Sequence, residues 1–264
     1  MNAMPSSTTT STDFLSVTEL SGSSVAQEQV DRLYHRYYWA GQYCQGKEVL
    51  EVACGTGQGL GYLSSLALNL HAGDYSEKIM QRVKTYYGER VVAQVFDAQN
   101  MPFADARFDV VIIFEALYYL PDVTRFFSEC QRVLRPGGRL LIATANKDLY
   151  DFNPSPFSHR YLGVAEFHQE LAAAFKVQCF GYLPITAVSA RQKFLRPIKK
   201  LAVSLGLFPK TAAGKLWLKR LVFGGLVNMP YEIKADQMPY TPPAALANTP
   251  DREHKVLYIE AVKR

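Results

Sequence analysis

The spacing of apolar positions changes along this chain. From residue 25 to 42 they recur at helical intervals, with Val30, Leu33, Tyr34, Tyr37 and Tyr38 near one face. Beyond residue 47, short apolar runs alternate with amphipathic stretches. Strands are predicted over 48–53, 69–73, 91–96 and 108–114, the last a continuous apolar run. Helices are predicted over 59–67, 76–87 and 123–134. Arg135-Pro136-Gly137-Gly138 demands a turn, and a strand over 139–145 follows. A further helix (164–174), a strand (175–182) and a last strand (255–262) complete the pattern. Regular strand–helix alternation predicts an α/β protein built on a doubly wound, mostly parallel sheet.

The stretch between the last two strands exceeds what such a sheet needs. Residues 191–226 show helical patches broken at Pro197 and Pro209, and 228–250 is rich in Pro and polar residues and reads as loop. The expected organisation is a disordered Ser/Thr-rich tail (1–14), an N-terminal lid-helix region (15–44) and one domain (45–264). A C-terminal insertion at about 187–250 is expected to fold over the sheet's ligand edge.

Composition narrows the class. With 264 residues, 48% apolar and 20% charged, the chain can bury one large core. No apolar run approaches the ~18 residues of a membrane span, and the first residues lack the basic and apolar regions of a signal peptide. Cys44, Cys54, Cys130 and Cys179 are scattered, as are the five histidines, so neither a disulfide framework nor a metal site is expected. Free thiols fit a cytoplasmic location.

The candidate chemistry centres on Val49-Leu50-Glu51-Val52-Ala53-Cys54-Gly55-Thr56-Gly57-Gln58-Gly59, a strand entering a glycine turn and then a helix. Such a turn brings backbone N–H groups up to a ligand. Asp74 follows Glu51 by 23 residues, and Asp97 follows Asp74 by another 23. Carboxylates ending the next two strands can accept hydrogen bonds from ribose hydroxyls and an adenine amino group. With Met101-Pro102-Phe103, Phe108-Asp109-Val110-Val111 and Arg132-Val133-Leu134-Arg135-Pro136-Gly137-Gly138, this order resembles the class I S-adenosylmethionine-dependent methyltransferases over residues 45–146. The layout is similar to their type 11 small-molecule members. A dehydrogenase fits less well, because the turn reads G-T-G-Q-G and not G-x-G-x-x-G.

The resemblance implies a seven-stranded Rossmann-like sheet, S-adenosylmethionine as cofactor (S-adenosylhomocysteine as product), and a set of site residues. Glu51 is expected near the cofactor's amino group, and Gly55 and Gly57 along its methionine part, where no Cβ intervenes. Ala53 stands where the family most often has glycine. Asp74, with Tyr75 beside it, corresponds to the ribose-binding position, and Asp97, with Ala98, to the adenine-binding one. Phe114 ends the fourth strand. Arg36, on the helix before the sheet, is a candidate for the cofactor carboxylate.

For the acceptor, Glu115 is a candidate base or amine-holding group, and His159 an alternative base. Tyr118 and Tyr119, Tyr34 and Tyr38 at the mouth, and Asn146 on the next loop are candidate substrate contacts. For each tyrosine a purely packing role is an equal reading, and a loop Asn often only closes a turn.

The net charge of +5 conceals an asymmetry. Residues 171–231 carry ten lysines and arginines and no acid. Arg191, Lys193, Arg196, Lys199, Lys200, Lys210, Lys215, Lys219 and Arg220 admit three readings: a solvated face, a patch for an anionic substrate, or a peripheral membrane contact with the interleaved Leu, Trp and Phe side chains. No RNA module accompanies them, so no nucleic-acid partner is expected. The expected activity is methyl transfer to an O or N atom of a small molecule, such as a specialised metabolite or glycan precursor. A lipid or macromolecular acceptor docked on the basic insertion is the alternative.

Overall fold

The computed structural model describes residues 19–185 and 225–264. The tail 1–14 and the cations Arg191–Arg220 lie outside the described residues, so the readings of both stay expectations. A short strand β1 (Ser24–Ala26) leads into helix α1 (Gln27–Cys44). Then come β2 (Glu48–Val52), α2 (Leu60–Leu66), β3 (Asn69–Asp74), α3 (Glu77–Tyr87), β4 (Val92–Val95), β5 (Phe108–Phe114), α4 (Val123–Val133) and β6 (Leu134–Ala145). The chain continues through α5 (Val164–Leu171), β7 (Phe175–Pro184), β8 (Leu226–Asn228), β9 (Ala244–Ala245) and β10 (His254–Lys263).

Seven long strands and the two-residue β9 make one sheet, in the order β4-β3-β2-β5-β6-β10-β7-β9. The strands β4 to β6 of this order run parallel, and β10 is antiparallel to both β6 and β7. The strand order reverses between β2 and β5, creating a switch point at their carboxyl ends. The apolar runs are continuous because both faces of the sheet are covered. In β5, Val110, Ile112 and Phe114 join a core with α1, α2 and α3, while Val111 and Ile113 join a second core with α4 and α5. Trp39 stacks on Tyr258 at 4.8 Å between ring centroids, seating α1 on the sheet.

Local signals set several element ends. Ser76 Oγ accepts from the Ile79 N–H at 3.4 Å to start α3, and Asp122 Oδ1 accepts from the Arg125 N–H at 2.9 Å to start α4. The Arg135-Pro136-Gly137-Gly138 turn is absorbed within β6. The register jumps from Phe108 opposite Leu134 to Val110 opposite Arg139, and Gly137 takes φ +75°.

Residues 228–250, read as loop, contain β9 and adjoin β8. Strand β8 pairs antiparallel with β1, some 200 residues away, and strands so short leave no periodicity to read. This half of the insertion packs on α1 and on the glycine turn: the Ile233 N–H donates to the Gln58 carbonyl at 2.8 Å.

Gly59 sits where α1 comes closest to that turn, and a Cβ there would overlap the Tyr37 ring. Gly59→Ala is therefore expected to lower stability by roughly 1–3 kcal/mol through overpacking. The urea midpoint measures this, and an unchanged midpoint would mean that α1 can retreat freely.

Candidate active site

The carboxyl ends of β2, β3, β5 and β6, together with the chain just after β4, surround a cavity of about 690 Å³. Glu51 and Ala53 come from β2 and its turn, Asp74 and Tyr75 from β3, Asp97 and Ala98 from beyond β4, Phe114 and Glu115 from β5, and Ala145 from β6. Parallel strands in register bring these residues to one edge although the sequence separates them widely.

The glycine turn has a left-handed backbone at alternate residues: Ala53 at φ +52°, Gly55 at +57° and Gly57 at +80°. This conformation is why glycine suits position 53, and Ala53 adopts it at a cost of about 1–2 kcal/mol. Gly55 lines the cavity. Gly57 is not among the lining residues, and its carbonyl accepts from the Tyr87 hydroxyl at 2.7 Å. Asp74 ties the turn to β3: Oδ2 accepts from the Gly55 N–H at 3.1 Å and Oδ1 from the Ser76 N–H at 2.9 Å. Burial raises the Asp74 carboxyl above its usual range, against backbone N–H groups that lower it. Asp97 Oδ1 accepts from both the backbone N–H and the side-chain amide of Gln99, at 2.8 and 3.1 Å.

Helix α1 closes the opposite side. The Tyr37 hydroxyl donates to Glu51 Oε1 at 2.5 Å. Glu51 is 1% exposed, and its Oε2 has no hydrogen-bond partner. Burial pushes its carboxyl up to about 7, with Tyr37 and Arg36 only partly opposing. Arg36 Nη2 is paired with Glu19 at 2.8 Å, so its fork is already half used, while its buried Nε has no partner. Arg32 Nη2 reaches Glu115 Oε1 at 2.8 Å, and the Tyr118 hydroxyl contacts Glu115 Oε2 at 3.3 Å. Burial, reinforced by the Glu115 charge, raises Tyr118, so it stays protonated as a donor. Glu115 itself has φ +51°, a left-handed backbone unusual for a non-glycine residue.

Tyr118, Tyr119 and His159 line the cavity, with His159 at its exposed rim. Three expected substrate contacts lie elsewhere. The Tyr34 hydroxyl donates to Gln237 Oε1 at 2.7 Å, and that of Tyr38 to the Lys234 carbonyl at 2.7 Å. Both anchor the loop after β8, and Tyr38 borders a separate cavity of about 590 Å³ with Tyr62 and Tyr240. The buried Asn146 amide donates to Asp251 Oδ2 and to the Asp251 and His254 carbonyls at 2.8–2.9 Å, joining the end of β6 to the start of β10. In each case a distant partner claims the polar group.

The cavity also contains residues that local patterning did not reveal: Glu19, Gln29, Arg32 and Tyr37. Gln29, Arg32, Arg36 and Tyr37 share a helical face, the one available signal. Glu19 carried none, because its placement depends on contacts with the turn: Gln58 Nε2 donates to the Glu19 carbonyl at 2.6 Å, and Ser21 bonds Thr56. No residue of 225–250 lines the cavity, so the described half of the insertion does not cover it. Among the described residues, no helix is long and apolar enough to cross a membrane, and no cluster of His, Cys, Asp and Glu could hold a metal.

Residues 50–142 match the family model described as a methyltransferase domain. The chain is 36% identical over 152 residues to a probable S-adenosylmethionine-dependent methyltransferase of Mycolicibacterium smegmatis, an alignment covering 56% of each. It is 30% identical over 195 residues to O-methyltransferase cnsE of Penicillium expansum, covering 70% of this chain and 68% of that one. The chain spans about half the length of the first curated relatives it matches. The YcgJ structure from Bacillus subtilis shares the fold, with a TM-score of 0.57 at 17% identity over 88% of this chain and 99% of that one.

The buried Glu51 has a stability consequence. Its folded value of about 7 lies above the unfolded carboxylate value, so the native state holds a proton that the unfolded chain releases. Stability is then full below about pH 4.5 and is lost as pH rises through 7, by about 3 kcal/mol. Glu51→Gln removes that loss. Melting temperatures at pH 5 and pH 8 should converge in the variant and diverge in the parent, and equal pH slopes would contradict the burial of a titrating Glu51.

Proposed function

The chain belongs to the class I S-adenosylmethionine-dependent methyltransferases, and on that premise we propose that it methylates an oxygen or nitrogen atom of a small-molecule acceptor bound in the cavity at the strand ends. The observation that carries the reading is the gathering of Glu51, Asp74 and Asp97 at one edge of the sheet around the cavity, with Glu51 Oε2 and Arg36 Nε buried and without hydrogen-bond partners. Their chemistry suits the two ends of an amino acid: a carboxylate for the ammonium group and a guanidinium N–H for the carboxylate. Unpartnered buried polar groups of this kind are costly unless a ligand satisfies them.

Asp74 and Asp97 fit the remaining nucleoside. A carboxylate receives two ribose hydroxyls because each oxygen can accept twice, and each Asp74 oxygen holds one backbone N–H here. When bound, the cofactor supplies an electrophilic methyl group on a sulfonium. The protein's own part is alignment and exclusion of water. Glu115, aimed by its left-handed backbone and held by Arg32, can accept the hydrogen of an acceptor hydroxyl or hold an amine. His159 at the rim is the second group able to take a proton.

The experiment that tests the activity is transfer of labelled methyl from S-adenosylmethionine into fractions of a host extract. Label in the small polar or aromatic fraction is expected; label in lipid, protein or RNA would overturn the small-molecule acceptor. Cofactor binding is tested separately, by calorimetry with S-adenosylhomocysteine. Its ammonium group favours ionised Glu51, so affinity is expected to rise from pH 6 to pH 8, and Glu51→Gln to bind more weakly with a flat profile. Asp74→Ala is expected to weaken binding roughly tenfold or more. Undiminished affinity there would remove the ribose from Asp74.

A further inference from the structure

The charge balance of the cavity restricts what it can receive. Among the described residues two guanidiniums line it, and each is ion-paired through one Nη at 2.8 Å, Arg32 with Glu115 and Arg36 with Glu19. Against them stand five carboxylates: Glu19, Glu51, Asp74, Asp97 and Glu115. Among the described lining residues, only His159, at the exposed rim, could add positive charge. The sulfonium cofactor brings one net positive charge. Even with Glu51 protonated, the described lining and the cofactor together stay negative, and in a partly water-excluded space that repels an entering anion.

The wall beyond Glu115 is aromatic and already hydrogen-bonded. Tyr118 stacks on Tyr161 with centroids 4.3 Å apart and planes 18° apart, and Tyr119 meets Tyr118 edge-on at 4.6 Å. The Tyr119 and Ser155 hydroxyls bond each other at 2.6 Å, and the Tyr118 hydroxyl is directed to Glu115. Leu120 and Pro121 extend this surface. Such a wall offers faces for a ring and little for the many hydroxyls of a sugar. Glu115 differs: a carboxylate has about four acceptor sites, and Arg32 and Tyr118 use one each.

We infer that the acceptor is a neutral or cationic hydroxylated aromatic, with its ring against the Tyr118 wall and its hydroxyl or amine at Glu115, and that carboxylated or phosphorylated acceptors are rejected. This rests on the methyltransferase reading of the same cavity, and it narrows the acceptor from any small molecule to one charge class and one shape.

Three phenols of matched size test it on the full chain: 4-ethylphenol (neutral), tyramine (cationic) and 4-hydroxyphenylacetate (anionic). Each is titrated by NMR with and without saturating S-adenosylhomocysteine. The expected result is saturable binding of the first two, with tyramine at least as tight as 4-ethylphenol and the anion at least tenfold weaker than both. Equal or tighter binding of 4-hydroxyphenylacetate overturns the charge argument, and saturation by none of the three overturns the inference outright. Glu115→Gln should abolish any advantage of tyramine over 4-ethylphenol; a retained advantage would place the amine elsewhere. Tyr118→Leu, which leaves every charge in place, should weaken all three at least fivefold, and unchanged affinities overturn the aromatic half. Failure of S-adenosylhomocysteine to bind would instead overturn the cofactor reading, while phenol discrimination in its absence still reports on the wall.

Discussion

Near the carboxyl end of β2, Glu51 carries a carboxylate that water hardly reaches, and the Tyr37 hydroxyl is its one side-chain hydrogen bond. Much of the site's architecture follows from this contact. It draws α1 down over the open strand ends, so close to the glycine turn that position 59 has no room for a Cβ. With the His35–Tyr258 hydrogen bond at 2.9 Å and the Tyr43–Glu260 one at 3.3 Å, it ties α1 to the sheet in a rotation that carries Arg36 and Arg32 to the cavity wall, where each meets a carboxylate from elsewhere in the chain. A helix joined to the sheet only by apolar packing would have no such fixed register with respect to the turn.

The same region concentrates local costs. Ala53 and Glu115 hold left-handed backbone without being glycine, and Glu51 is a buried acid with one oxygen unpartnered. Features of this kind persist where surrounding packing over-determines them, and they gather at sites that bind or react. Here the surrounding packing is substantial: two cores sandwich the sheet, and β2 and β5, which carry Glu51 and lead into Glu115, are almost entirely buried. Stability supplied by the cores is offset in part at the strand ends, the usual relation between a rigid scaffold and the site it carries.

The electrostatic picture has two layers. Asp74, Asp97 and Glu51 stand at the ends or just beyond consecutive strands with only backbone or neutral side-chain hydrogen bonds, and no ion pair among the described residues involves them. Glu19 and Glu115 are matched by arginines. The described lining is therefore acidic at the ends of β2, β3 and β4, and balanced in ion pairs at Glu19 and Glu115. The arginines of the described wall, Arg32 and Arg36, are both held in ion pairs with its carboxylates.

Hydrophobic period and turn chemistry made the strand–helix alternation legible, because a strand buried on both faces must be a continuous apolar run and a helix on it must be amphipathic. Carboxylates at or just past the ends of successive parallel strands reach the same sheet edge, so spacing made Glu51, Asp74 and Asp97 legible as neighbours, while Glu115 and the role of each followed from the family resemblance. Tyr34, Tyr38 and Asn146 could not be assigned in this way. Their partners, Gln237, Lys234, Asp251 and His254, lie more than 100 residues away, and nothing local records a hydrogen bond across that distance. The pairing of β1 with β8, the ion pairs of Arg32 and Arg36, and the placement of Glu19 on the cavity wall are likewise products of tertiary packing. Local sequence determined which residues end strands and therefore share an edge; only the folded chain decided which polar groups there are consumed by one another and which are left for a ligand.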